Sequence, residues 1–335
     1  MLDKVDAQVQ AALTAAEDEA ASPAERAEML MEIAMGLQLR PKSADQIAAA
    51  ITLYDKAIAL CPEPQALMRA RMMARKATAL QIVPEDGTEQ LEAARACFET
   101  ALPVLRTGGS PEEVAEAEMN LGLVLQSLAG AHRARITDAI AAYQRALRTF
   151  DRHRFPQEFA ILQNNLATAF LSIPFTDERA KMREALAVQA FEEGLKVVSL
   201  IDHPAEYAML QNNLGNALQY ASSSHPIENN FRAIEAYDEA LRVRTRETMA
   251  VEFANTIANK ANCLWNLPDD PAHPERGNRR NLTAARDHYG EARQIFMQHG
   301  ELEKARIVSE AFGLIEREIL SVEKPNGAAE KQMHS

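Results

Sequence analysis

Five positions at near-equal intervals carry side chains suited to polar recognition: Arg75, Asn120, Asn165, Asn213 and Asn259, separated by 45, 45, 48 and 46 residues. A carboxamide presents donors and an acceptor together, so a row of them can satisfy both the N–H and the C=O groups of an extended chain laid beside it. Asn216 and Asn262 lie one helical turn further on and Asn255 one turn back, where the same face would continue the row. Arg71 and Arg75, four positions apart, form a guanidinium pair that can grip a carboxylate through charge-assisted hydrogen bonds. The same pair can equally be an exposed basic face matched to nearby glutamates. Amides also have a purely internal use, bridging adjacent helices or bonding backbone carbonyls. For Asn165, Asn213 and Asn259 both uses stay open, whereas the adjacent Asn164 and Asn212 fit bridging better.

Other chemistries lack their motifs. None of the eight histidines forms an H-x-x-x-H or H-E-x-x-H pair or lies beside a cysteine at metal-ligand spacing. There is no G-x-x-x-x-G-K-[ST], no G-x-G-x-x-G after a strand, and no G-x-S-x-G. Cys61, Cys97 and Cys263 are far apart, with no C-x-x-C, and read as buried thiols of a cytoplasmic protein. No catalytic residue, metal or cofactor is expected.

Asparagine is a poor helix former, so its recurrence inside helical phrases must follow from the elements that hold it. "FAILQNNLATAF" from Phe159 returns as "YAMLQNNLGNAL" from Tyr207, with weaker copies from Val114 and Phe253. Anchored on the small residue after the Asn-apolar pair, the copies align at Ala77, Gly122, Ala167, Gly215 and Ala261, and Gly36 reads as a sixth member 41 residues earlier. A second phrase alternates with the first. It places a small residue, an aromatic four positions on and another small residue three further, as in Ala139, Tyr143 and Ala146 or Ala233, Tyr237 and Ala240. These spacings fall on one helical face, where small residues let a neighbouring helix approach and the ring fills the gap between them.

Pro23, Pro64, Pro111, Pro156 and Pro204 stand near the starts of first-type helices, where the missing N–H costs nothing, with Ser22 and Ser110 as N-caps. The unit is a helix hairpin, repeated six times. The sequence predicts an acidic capping helix within 1–22, the array over 23–300, a capping helix over 301–320 and a disordered tail over 321–335.

Gly or Ala followed by Ala, an aromatic and Ala resembles the skeleton of the tetratricopeptide repeat (TPR). "DHPAEYAMLQNNLGNAL" from Asp202 is similar to the kinesin-light-chain-like subtype. The resemblance implies an all-α, right-handed α-solenoid of about six hairpins with helical caps. It also implies that the first helix of each hairpin lines a concave groove, where asparagine at this position pairs with a bound peptide's backbone. Basic residues such as Arg71 and Arg75 would hold a peptide's C-terminal carboxylate, although the match to such adaptors is partial. The spacing from Gly215 to Ala233 exceeds that of the ordinary repeat and predicts long loops inside the hairpins, including "HPERGNRR" beside Trp265. That basic loop reads either as a receiver of acidic partners or as a mobile solvated segment.

The function expected is a non-enzymatic protein-interaction scaffold or adaptor. Two rivals are a peptide-responsive sensor and a self-assembling subunit that uses Ile307, Phe312 and Ile315 on its end cap, so homo-oligomerisation stays open. A net charge of −12 disfavours nucleic acid or an anionic membrane as the partner. A start without a basic, then apolar, segment and the lack of a membrane-length apolar run place the expected location in the cytoplasm.

Overall fold

The computed structural model describes residues 2–17, 20–39, 41, 43–83, 87–174, 178–222 and 225–322. Among these, the elements are helices and one short 3-10 turn. Contacts divide the chain into two compact units, Met1–Phe155 and Pro156–Ser335.

In the first unit, α1 (Leu2–Ala15) packs on the hairpin of α2 (Pro23–Leu39) and α3 (Ala44–Leu60). Two further hairpins follow: α4 (Ala66–Gln81) with α5 (Glu89–Gly108), and α6 (Pro111–Gly130) with α7 (Ile136–Ala146). The second unit pairs α8 (Pro156–Leu171) with α9 (Glu178–Leu195), α10 (Pro204–Gln219) with α11 (Pro226–Leu241), and α12 (Ala250–Trp265) with α13 (Arg279–Gln298), and then lays α14 (Leu302–Val322) on α13. The terminal helix thus runs beyond the boundary read at residue 320, and residues 323–335 of the expected tail lie outside the described residues. Asp18 and Glu19, part of the acidity expected at the front, also lie outside them.

The small–aromatic–small phrase explains the packing. Tyr54, Phe98, Tyr143, Phe191, Tyr237 and Tyr289, one per second helix, are all buried, as are the alanines four positions before them. At two hairpins the first helix answers with glycine because nothing larger fits. A Cβ on Gly122 would lie 2.3 Å from the Tyr143 ring, and one on Gly215 would lie 2.6 Å from the ring of Tyr237. Each buried phenol needs an acceptor and finds one across its own hairpin. Tyr54 donates to Gln38 and Tyr143 to Gln126, both at 2.8 Å. Tyr237 donates to Asn216 at 2.8 Å and to Gln219 at 3.0 Å, and Tyr289 to Asn262 at 2.5 Å. Burial pushes the Tyr54 hydroxyl up to about 12, and the other three rise further.

Helix starts follow local chemistry. Ser110 accepts from the Glu113 N–H while the Glu113 carboxylate accepts from the Ser110 N–H, a reciprocal cap that Ser22 and Glu25 repeat at α2. Proline opens α2, α6, α8, α10 and α11.

Three expectations need correction. First, α9 begins at Glu178 and α11 at Pro226, so much of the two expected loops is helix, while residues 175–177, 223 and 224 of those loops lie outside the described residues. The α12–α13 link is long, and it is tied down: Asp269 caps the N–H groups of Arg280 and Asn281 at 2.8 Å, and Arg276 meets Asp270 at 3.4 Å. The Trp265 indole N–H donates to Glu318 at 2.7 Å. Second, Gly36 is not the packing member of its hairpin: a Cβ there meets nothing within 4 Å, while Ala34 is fully buried. Third, Ile315 on the end cap is fully buried and Phe312 packs under Arg293, so Ile307 alone of the three remains exposed.

Candidate functional site

In the first unit, α2, α4 and α6 bury one face each and turn a second face to a common cleft of about 590 Å³. The cleft-facing positions recur every three or four residues: Glu32, Met35, Gly36 and Leu39 on α2; Arg71, Arg75, Thr78 and Ile82 on and just after α4; Glu113, Ala117 and Asn120 on α6. Phe98 and Leu105 of α5 also line the cleft. Gly36 leaves it open where any other residue would project a side chain.

One flank is charged. Arg71 grips Glu113 with two bonds, Nε to Oε1 at 2.6 Å and Nη2 to Oε2 at 3.1 Å. The guanidinium, helped by the Ser110 N–H, holds the Glu113 carboxyl below the usual carboxylate range. Arg71 is therefore spoken for, as the glutamate-pairing alternative anticipates. Arg75 is different: it is exposed and makes no hydrogen bond or ion pair among the described residues. The half-buried amide of Asn120 likewise has no hydrogen-bond partner among them. The lining also includes exposed apolar side chains, with Leu39 at 81% and Ile82 at 47% exposure. Free polar groups beside uncovered apolar surface form the composition of a recognition site.

The structure brings Arg71, Arg75 and Asn120 together; the other candidates belong to the second unit and have different surroundings. Asn164 donates to Asn165 at 3.3 Å, Asn213 donates to Asn164 at 2.8 Å, and Asn212 donates to Asn213 at 3.1 Å. Thr256 donates to Asn212 at 3.0 Å and itself receives Arg244 at 3.0 Å. This polar chain crosses α8, α10 and α12, and Asn164, Asn165 and Asn212 are buried within it. Asn213 thus acts as a bridge between helices, and Asn165 is a buried member with its Nδ2 unpartnered. The oxygens of Asn216 and Asn262 accept from the buried Tyr237 and Tyr289. Asn255 and Asn259 are half-buried without a hydrogen-bond partner among the described residues.

Sequence reasoning missed Leu39, Ile82 and the open floor at Gly36. The signal for Gly36 was its step of 41 residues, about one helical turn short of the other steps. Leu39 and Ile82 stand at helix ends, where periodicity fades. Among the described residues no His, Cys, Asp or Glu group could hold a metal ion, and no helix is long and apolar enough to cross a membrane.

No protein-family model and no curated protein matches the sequence. Solved structures do match in shape. A Rap protein complexed with Competence and Sporulation Factor aligns at 12% identity with a TM-score of 0.51, over 88% of this chain and 76% of that one. BtubC (BKLC) from P. vanneervenii aligns at 15% identity over 90% and 92% of the two chains, with a TM-score of 0.43. A circular tandem repeat protein reaches 16% identity over 89% and 66%, with a TM-score of 0.23. The last two scores are too low to argue from, and the first speaks for fold alone. The chain is a helical repeat protein of the α-solenoid class.

Proposed function

We propose that the repeats are of the tetratricopeptide type and that the chain is a non-enzymatic scaffold whose first unit holds a segment of a partner polypeptide between α2, α4 and α6. The observation that carries this reading is the pairing of Arg75 and Asn120, both without hydrogen-bond partners among the described residues, with the exposed Leu39 and Ile82 around one cleft. Asn120 can meet a backbone N–H and C=O together, Arg75 offers a charged donor for a carboxylate or carbonyl, and the apolar rim takes a side chain. That the Rap protein was solved in complex with Competence and Sporulation Factor is a precedent for this fold binding another molecule. The kinesin-light-chain-like subtype rests on sequence phrases alone.

Gly36 supplies the test. Methionine there projects into the cleft and meets no neighbour at its Cβ, so it obstructs binding without disturbing the core. Peptides selected from a random library on the wild-type chain are titrated calorimetrically against Gly36→Met and against Arg75→Ala with Asn120→Ala. Each variant is expected to weaken binding by about tenfold or more, equivalent to about 1.4 kcal/mol, with thermal melting unchanged or raised for Gly36→Met. Peptides that bind Gly36→Met as tightly as wild type would place recognition elsewhere.

A further inference from the structure

The terminal helix α14 buries one face and leaves the other bare. Ala305, Val308, Ile315 and Ile319 are buried, whereas Ile307 and Leu314 are 53% and 48% exposed. These two lie two turns apart on one line of the helix, with the half-buried Ala311 between them. Charges flank the line in a definite order. Glu303, Glu310 and Arg317 lie on one side, and Lys304 and Glu318 on the other. Arg317 is exposed and has neither an ion pair nor a hydrogen bond among the described residues.

This pattern complements itself. When a second α14 runs antiparallel so that Ile307 meets the partner's Leu314, the two-fold axis falls between residues 310 and 311. The same register sets Arg317 opposite the partner's Glu303 on one flank and Lys304 opposite the partner's Glu318 on the other; within one chain Glu303 also holds Arg306 at 2.6 Å, Lys304 holds Glu301 at 3.0 Å and Glu318 accepts from Trp265, so Arg317 is the charge that gains its first partner. An isologous contact requires that each pairing occur twice by symmetry; here the apolar pair and both charge pairs fit one register, and Glu310, which meets its own symmetry mate beside the axis, is neutralised within its helix by Arg306 at 2.5 Å. We propose that a second copy of this chain covers the outer face of α14, forming a two-fold antiparallel helix pair. A single helix face is small beside the surface that stable complexes bury, so the dimer is weak and reversible.

Sedimentation equilibrium of the full chain between about 10 µM and about 1 mM reads the association. Wild type is expected to show a concentration-dependent dimer. Ile307→Asp, at an exposed position, should abolish it while leaving circular dichroism and melting unchanged. Glu303→Arg alone and Arg317→Glu alone should each weaken the dimer by about tenfold, since each breaks two exposed pairs. The double variant, which restores opposite charges across the axis, should regain most of the wild-type affinity. A monomer throughout the range, a dimer indifferent to Ile307→Asp, or a double variant no tighter than the singles overturns the proposal.

Discussion

Substituting alanine at Gly36 and at Gly122 should move the stability of the first unit in opposite directions. Both glycines lie in the interior of a first helix, so each alanine gains about 1 kcal/mol from reduced backbone freedom. At Gly36 nothing opposes the gain, because the added Cβ meets no atom within 4 Å. At Gly122 the Cβ would lie 2.3, 2.6 and 2.9 Å from three atoms of the Tyr143 ring, inside any tolerable contact. That ring cannot easily retreat, since it is fully buried and its hydroxyl is bonded to Gln126 at 2.8 Å. Overpacking of this kind costs about 1–3 kcal/mol, and the closeness places it toward the upper end. The net is a loss of about 1–2 kcal/mol, or roughly 2–8 °C of melting temperature in a unit of this size, against a gain of roughly 2–4 °C at Gly36. Urea and thermal unfolding of the full chain by far-UV circular dichroism read both variants, which report on the same unit. In a Tyr143→Leu background, Gly122→Ala should lose its penalty and stabilise. Equal shifts of the same sign for the two alanines, or a penalty that persists without the ring, would refute the packing account.

Asn213→Ala should destabilise the second unit by about 2–3 kcal/mol in urea unfolding, because it strands the acceptor of Asn164 and the donor of Asn212 in a buried place. Asn259→Ala, which breaks no hydrogen bond among the described residues, should stay within about 0.5 kcal/mol; a reversed order would contradict the bridging role. Glu118→Ala removes a buried carboxylate held by Arg106 at 2.5 Å and Arg145 at 2.7 Å. The two guanidiniums are partly exposed and can turn to water, so a loss of about 2 kcal/mol is expected rather than the larger cost of a fully enclosed pair, and a change under about 0.5 kcal/mol would show the cluster to be idle. Burial pushes the Cys263 thiol up to about 12 and also raises that of Cys97, while Cys61 is buried. At pH 8 the thiols should therefore react slowly with an aromatic disulfide reagent, Cys97 first, and all three should react at once in denaturant; fast native labelling of Cys263 would disprove its burial.

The fold was legible because its signal is a spacing. A small residue, an aromatic four on and a small residue three further put one packing face on each second helix, and all six rings it marks are buried. The site was legible in part. Helical period reports which face a residue occupies and says nothing about what stands opposite. Arg71 and Arg75 share a face, yet Glu113, 42 positions after Arg71, accepts hydrogen bonds from the first and acts on the second through charge alone. Loop length was misread for a related reason: spacing counts residues and does not distinguish coil from an added turn of helix, which is where α9 and α11 spend them.

The row of asparagines divides according to the residue that precedes each one. In α8 and α10 the neighbour is another asparagine, and in both helices the first carboxamide donates to the second, at 3.3 and 3.1 Å. That bond turns the pair inward and leaves it able to link to the next helix, as Asn213 does with Asn164. Asn120 follows Met119 and Asn259 follows Ala258, neither of which offers an amide. These single carboxamides have no side-chain neighbour to satisfy them and keep their hydrogen-bonding capacity unused among the described residues. A half-buried amide left in this state loses water contacts without recompense unless something else supplies them. In the first unit that amide lines the cleft shared with Arg75, so one letter, repeated at one period, ties helices together in α8 and α10 and is left unbonded among the described residues in α6 and α12.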